Sequence, residues 1–138
     1  MRAYLLAGTL ALAASVHAAP PDLAAGKAKF QQCASCHAVG PGASGGYAPQ
    51  LNGIVGRAAG STSDFAYSAV LKHARFHWTE QNLAGFLHAP GDFLPGTKMR
   101  FWGISDRQDI DNLIGYMKTF APDAPAPVHA AAPTMAGK

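Results

Sequence analysis

The sequence is poor in thiols, in charge and in long apolar runs, and each shortage narrows what the protein can be. Only two cysteines occur in 138 residues, both in the stretch CASCH from Cys33 to His37. Thiol chemistry is therefore confined to one place, where three uses compete: a redox disulfide, a zinc ligand set, or covalent attachment of haem. Charged residues make up 14% of the chain, with 11 Lys and Arg against 8 Asp and Glu and a formal net charge of +3. That excess is too small to serve as an electrostatic footprint for nucleic acid. Beyond the first residues, no stretch approaches the ~20 apolar residues that span a bilayer. No segment alternates apolar and polar residues convincingly enough to form a strand. The hydrophobic fraction of 49% is ordinary for a globular chain, and the length suits about one domain with a single modest core.

What is present divides into three parts. The opening residues, MRAYLLAGTLALAASVHA, carry Arg2, an apolar run from Ala3 to Ala14, and Val16 and Ala18 at the spacing of a signal-peptidase site. They read as a secretory signal, residues 1–18, cut after Ala18, which places the mature chain in the periplasm. Residues 121–138 are mostly Ala and Pro and cannot bury enough surface to offset the entropy of ordering them. This tail is expected to be disordered, so His129 and Met135 are set aside as ligands. A folded domain remains over residues 19–120.

Inside that domain the apolar spacing is helical. Asp22 is placed to cap a helix running through Cys33, with Leu23, Gly26 and Phe30 on one face. Ser105 followed by Gln108 has the pattern of a capping box, and Ile110, Leu113, Ile114 and Met117 then trace one face of a last helix. Asp106 and Asp109 suit its positive end and Lys118 its negative end. Thr79 is placed to cap a middle helix through Leu83, Phe86 and Leu87 that ends before Pro90, and a shorter helix is expected from Tyr67 to about Ala74. Between Val39 and Ser63 the chain is rich in glycine. The expected fold is all-α, about four short helices joined by long loops. Loops of that length in so small a domain need something central to organise them.

CASCH bears on that need. A redox C-x-x-C opens a helix that follows a strand, whereas this pair closes a helix with no strand before it. Zinc takes about four ligands, and His73, His77 and His88 form no second cluster with metal spacing. A structural disulfide in an exported protein stays open. Haem attachment fits best: thiols three residues apart can reach the two vinyl groups of a porphyrin, and His37 then projects its imidazole toward the iron. Of the four methionines, Met1 lies in the signal, Met117 on the apolar helix face and Met135 in the tail. Met99, in the loop sequence PGTKM, is left as a sixth ligand.

Taken together, Gly26 and Phe30, CASCH, PQLNGIVGR from Pro49, FAYS from Phe65, Trp78, PGTKM and the segment Leu113 to Tyr116 resemble a class I cytochrome c of the mitochondrial and bacterial electron-carrier type. The resemblance implies one covalently attached haem c, thioethers at Cys33 and Cys36, and axial ligation by His37 and Met99. It implies that the Pro49 carbonyl orients the imidazole and that Arg57, Tyr67 and Trp78, with Ser68 as a further donor, hold the haem propionates. Gly26, Phe30, Leu113 and Tyr116 match the place where the first and last helices cross. The implied function is one-electron transfer without substrate chemistry. The donor would be a cytochrome reductase or a dehydrogenase, and the acceptor an oxidase or a reductase. A monomer that meets the membrane only through its partners is expected. An alternative is a haem subunit dedicated to a larger dehydrogenase or reductase complex.

The departures from the family pattern are equally specific. Ala48 stands where a glycine usually precedes the proline of the haem loop. Leu71 and Phe86 align with an Asn and a Tyr that often hold a buried water near the methionine, which leaves Thr97 as the main hydroxyl there and implies a drier pocket. Where mitochondrial relatives ring the haem edge with lysines, this chain has Gln32, Gly46, Gly91, Asp92, Ser105 and Asp106 and keeps only Lys98. Trp102 replaces a usually small residue beside Phe101. Docking through an apolar, weakly charged patch is expected.

Overall fold

The computed structural model describes residues 19–120; the expected signal segment, residues 1–18, and the Ala/Pro-rich tail, residues 121–138, lie outside the described residues. Five helices follow one another: α1 (Leu23–Phe30), α2 (Ala69–Lys72), α3 (Glu80–His88), α4 (Pro90–Phe93) and α5 (Arg107–Lys118). Among the described residues the one extended pairing is an isolated antiparallel bridge between Ala58 and His77. The fold is all-α with long loops, as the helical spacing implies.

α1 begins where expected, because the Asp22 carboxylate accepts the backbone N–H groups of Ala24 and Ala25 at 2.9 and 3.0 Å. It ends at Phe30 rather than running through Cys33. After Phe30 the exposed Gln31 and Gln32 offer nothing to bury. The chain tightens into turns, with Gln32 N–H bonded to the Lys29 carbonyl and Cys33 N–H to that of Phe30. CASCH therefore sits in a turn beyond the helix, where His37 N–H closes on the Cys33 carbonyl at 2.9 Å.

α5 starts one residue later than the Ser105 pattern suggests. Asp106 is the cap and accepts the Asp109 N–H at 2.9 Å. Gln108 does not reach back toward the cap; its amide donates to the side chain of Asn112 at 3.0 Å. Asn112 is buried, and its amide oxygen also accepts the Asp22 N–H at 2.8 Å. A buried amide thus joins the start of α1 to α5. The ion pair of Lys29 and Asp109 at 2.6 Å and the rings of Phe30 and Tyr116, 5.6 Å apart, continue the contact.

Thr79 caps α3 in a reciprocal box with Asn82: each side chain accepts the other's backbone N–H, at 3.2 and 2.8 Å. The helix buries Leu83, Ala84, Phe86 and Leu87 against α5, whose Leu113, Ile110 and Ile114 are almost wholly enclosed. After Ala89 the chain turns at once into α4, a single turn with Pro90 at its first position, which adds a helix to the four expected. α2 is shorter than the expected Tyr67–Ala74, because the chain after it extends to pair with residues 56–59. Trp78 N–H bonds the Arg57 carbonyl at 2.8 Å, and Ala59 N–H bonds that of Phe76 at 3.0 Å. The C-terminal end of α5 is tied to the long loop as well, since Gly53 N–H donates to the Phe120 carbonyl at 3.0 Å.

The α1–α5 crossing depends on the missing side chain of Gly26, where a Cβ would stand 2.1 Å from the Asn112 carbonyl oxygen. Gly26→Ala would push the helices apart, and a loss of about 1–3 kcal/mol is expected from such overpacking. Denaturant unfolding of the haem-loaded protein measures it, the midpoint falling relative to wild type.

Candidate functional site

A cavity of about 470 Å3 opens among the loops, and all nine residues expected to build the site line it. The turn after α1 contributes Cys33, Cys36 and His37, and the loop after α4 contributes Thr97, Met99 and Phe101. Leu71, Leu83, Phe86, Leu87, Leu113 and Met117 make most of the apolar lining. Pro49, Arg57, Tyr67 and Trp78 complete the expected set, with Ser68 beside them. The cavity thus meets residues from every long segment of the fold.

The imidazole is directed by its backbone neighbour. His37 Nδ1 lies 2.8 Å from the Pro49 carbonyl oxygen, which can only accept, so Nδ1 carries the proton and Nε2 keeps its lone pair. Burial pushes the pKa of His37 down, opposed by the Pro49 bond and reinforced by Arg57. The neutral ring suited to a metal is therefore favoured. Both cysteines are free, Cys36 exposed and Cys33 half-buried. Burial, and then proximity to Cys36, pushes the Cys33 thiol up from its ordinary value.

Met99 is set by Thr97, whose hydroxyl accepts the Met99 N–H at 3.2 Å. Thr97 is thus engaged in shaping the methionine loop. Trp78 is buried among aromatic rings, with centroids 5.0 Å from Phe76 and 5.1 Å from Phe86. The Tyr67 hydroxyl pairs with that of Thr62 at 2.7 Å.

Two polar groups in the cavity wall keep hydrogen-bonding capacity that the described protein does not fill. Ser68 is 4% exposed, and its hydroxyl has no hydrogen-bond partner. Arg57 is half-buried and donates to the carbonyls of Gln50 and Asn52 at 2.8 and 3.2 Å. It enters none of the three ion pairs among the described residues, and burial pushes its pKa down. A buried hydroxyl without an acceptor and a half-buried cation that feels the Asp64 carboxylate but forms no ion pair with it both suit a ligand with anionic oxygens. The rest of the cavity suits a large apolar body, and haem, with its two propionates, has both parts.

Several supporting contacts are not legible in the sequence, although Gln50 and Asn52 lie within PQLNGIVGR. Asn52 clamps the long loop, its side chain accepting the Gly40 N–H at 2.7 Å and donating to the Gly40 carbonyl at 2.9 Å. Gln50 and Asn52 hold Arg57 through backbone carbonyls, which no residue type announces. Thr62 and Asp64 are also missed, because each finds its partner only once the loops are folded.

Two cysteines beside a directed imidazole, set in an apolar crevice with an unsatisfied donor, suit a covalently bound haem. Residues 23–121 match the family model described as cytochrome c. The chain is 43% identical over 120 residues to cytochrome c2 of Blastochloris viridis, covering 86% of this chain and 94% of that protein. It is 46% identical over 108 residues to cytochrome c2 of Agrobacterium tumefaciens (strain II Chrys), covering 76% and 97% respectively. The solved structure of cytochrome c2 from Rhodospirillum centenum superposes with a TM-score of 0.68 at 35% identity, over 73% of this chain and 99% of that one. The chain belongs to the class I cytochrome c family. It is an electron-transfer protein carrying haem c.

Near the cavity mouth, the Asp64 carboxylate accepts the Gly45 N–H, and this bond, ahead of all other influences, holds its pKa below the ordinary aspartate value. A depressed carboxylate stabilises the fold above its unfolded pKa and ceases to do so as pH falls through the folded one. Hydrogen exchange at the Gly45 amide, corrected for intrinsic rates, should therefore accelerate in acid. Asp64→Asn should exchange faster at neutral pH and lose that acid dependence.

Proposed function

We propose that the protein is a one-electron carrier of the periplasm, exported by residues 1–18, folded over residues 19–120 and ending in a disordered tail over 121–138. It works as a monomer between a cytochrome reductase or dehydrogenase and an oxidase or reductase. It has no nucleic-acid partner and meets the membrane only through these proteins. Cys33 and Cys36 form the two thioethers. His37 and Met99 would ligate the haem iron, Pro49 would orient the imidazole, and Arg57, Tyr67, Ser68 and Trp78 would hold the propionates. The bound haem supplies a one-electron iron couple.

The observation that carries this reading is the shared cavity of His37 and Met99, with His37 Nε2 freed by the bond from Nδ1 to Pro49. An imidazole and a thioether together leave no open position for oxygen or peroxide, and the thioether favours the reduced state. The protein's part is to keep both ligands in place so that little moves as the charge changes. The Thr97 bond to the Met99 backbone and the Pro49 bond to His37 do this. The ferric protein should show the far-red sulfur-to-iron band. Met99→Ala should abolish that band and lower the midpoint potential by on the order of 100 mV.

Leu71 and Phe86 both present apolar side chains to the cavity, where the family often has an Asn and a Tyr. Few dipoles there can stabilise the additional charge of the ferric state, so the potential is raised. A Leu71→Asn, Phe86→Tyr variant returns polar groups to this lining. If they contribute about 1 kcal/mol in favour of the ferric state, the potential drops by roughly 40 mV. Redox titration reads the shift, and a potential that stays or rises would contradict the dry-pocket account.

A further inference from the structure

Trp102 has a relative exposure of 102%, the highest of any large apolar side chain among the described residues. An indole left in water forgoes the stabilisation that burying its large surface would bring. Looseness of its loop does not account for this, because the loop is fixed on both sides. Gly103 has a φ of +100° and lies so close to α3 that a Cβ would stand 2.0 Å from the His88 carbonyl oxygen. Ile104 N–H bonds the Leu87 carbonyl at 2.9 Å, and His88 Nδ1 donates to the Ile104 carbonyl at 3.0 Å. On the other side Thr97 holds the Met99 N–H, and Lys98 Nζ reaches the Ala66 carbonyl at 3.4 Å. Between these ties Phe101 turns in to line the cavity and Trp102 turns out. The indole is displayed by a preorganised loop.

A second exposed aromatic stands at the cavity that Phe101, the neighbour of Trp102, also lines. Tyr47 lines the cavity at 87% exposure, on the segment that leads to Pro49 and is tied by the Gly45–Asp64 bond. Along the chain on either side of Trp102 the charges balance. From Asp92 to Asp106, Lys98 and Arg100 are matched by the two end carboxylates, and Arg107 just beyond is paired with Asp111 at 2.8 Å. A partner recognised here is selected by apolar contact and not drawn in from a distance.

We propose that Trp102 is the anchor by which this cytochrome docks on its electron-transfer partner, a redox protein presenting an apolar pocket that takes up the indole, with Tyr47 completing the rim. The inference rests on the carrier reading above. Exposed tryptophans on rigid supports are the side chains that concentrate binding energy when a partner desolvates them.

The test is oxidation of the reduced, haem-loaded protein by membranes of the source organism, followed over a range of protein concentration. Trp102→Ala should raise KM about tenfold or more while leaving kcat within about twofold, and Tyr47→Ala should raise KM less. The midpoint potential and the far-red band should be those of wild type. Wild-type turnover should change less than about threefold between low and physiological salt. An unchanged KM in Trp102→Ala, a KM change accompanied by a shifted potential, or a steep loss of wild-type turnover with salt would each overturn the proposal. Membranes that do not oxidise even the wild-type protein would overturn the carrier reading and the anchor with it, an outcome distinct from turnover that is indifferent to Trp102.

Discussion

The contact of Gly26 with the carbonyl of Asn112 sets the distance between α1 and α5, and the rest of the molecule is arranged around that distance. With the two backbones this close, the buried Asn112 amide can reach the start of α1, Lys29 can reach Asp109, and Phe30 can pack on Tyr116. The end of α1 then lies against the core made by Leu113 and Ile114, and the turn that leaves it carries Cys33, Cys36 and His37 to the cavity wall. A side chain at this one position would therefore move the haem-bearing turn as well as the helices. Packing and cofactor geometry are coupled through a single absent methyl group.

The cavity combines an apolar interior with a few polar groups whose needs are met unevenly. His37, Thr97 and Tyr67 have partners within the protein, which fixes their orientation. Ser68 and Arg57 keep donors in reserve. The satisfied groups give the site its shape, and the reserved ones give it selectivity for a ligand that is greasy at its centre and anionic at its margin. The same low polarity that rewards burial of a porphyrin strengthens each remaining electrostatic interaction, so small changes in the lining are felt as changes in potential.

Much of this was legible in the sequence, and what escaped has a physical reason. The caps at Asp22 and Thr79, the faces of α3 and α5 and the stop before Pro90 are local signals, and the structure repeats them. Ser105 and Asp106 are near-equal caps, so local pattern alone does not place the start of α5. What decides between them lies outside the capping pattern: Ile104 is held to the end of α3, and Gln108 is taken by Asn112 one turn on. Helical spacing says where apolar residues recur, not where burial stops, so it carries α1 past its true end at Phe30. α4 is a one-turn helix started by Pro90, too short to leave a period. In the site, CASCH and PGTKM announce their chemistry through residue type, whereas Asn52 on Gly40 and Asp64 on Gly45 join positions 12 and 19 residues apart. Such pairs acquire meaning only after the loops close.

The bond from Gly53 to the carbonyl of Phe120 reaches further than its modest strength suggests. It stitches the end of α5 to the same loop that presents Pro49 to His37 and that Asn52 closes on Gly40. Fraying, which in most terminal helices is a private event, is here shared with the loop that steers the imidazole. The last turn of the domain and the orientation of the proposed iron ligand accordingly belong to one cooperative unit, so disturbing the chain at Phe120 disturbs the redox centre from behind.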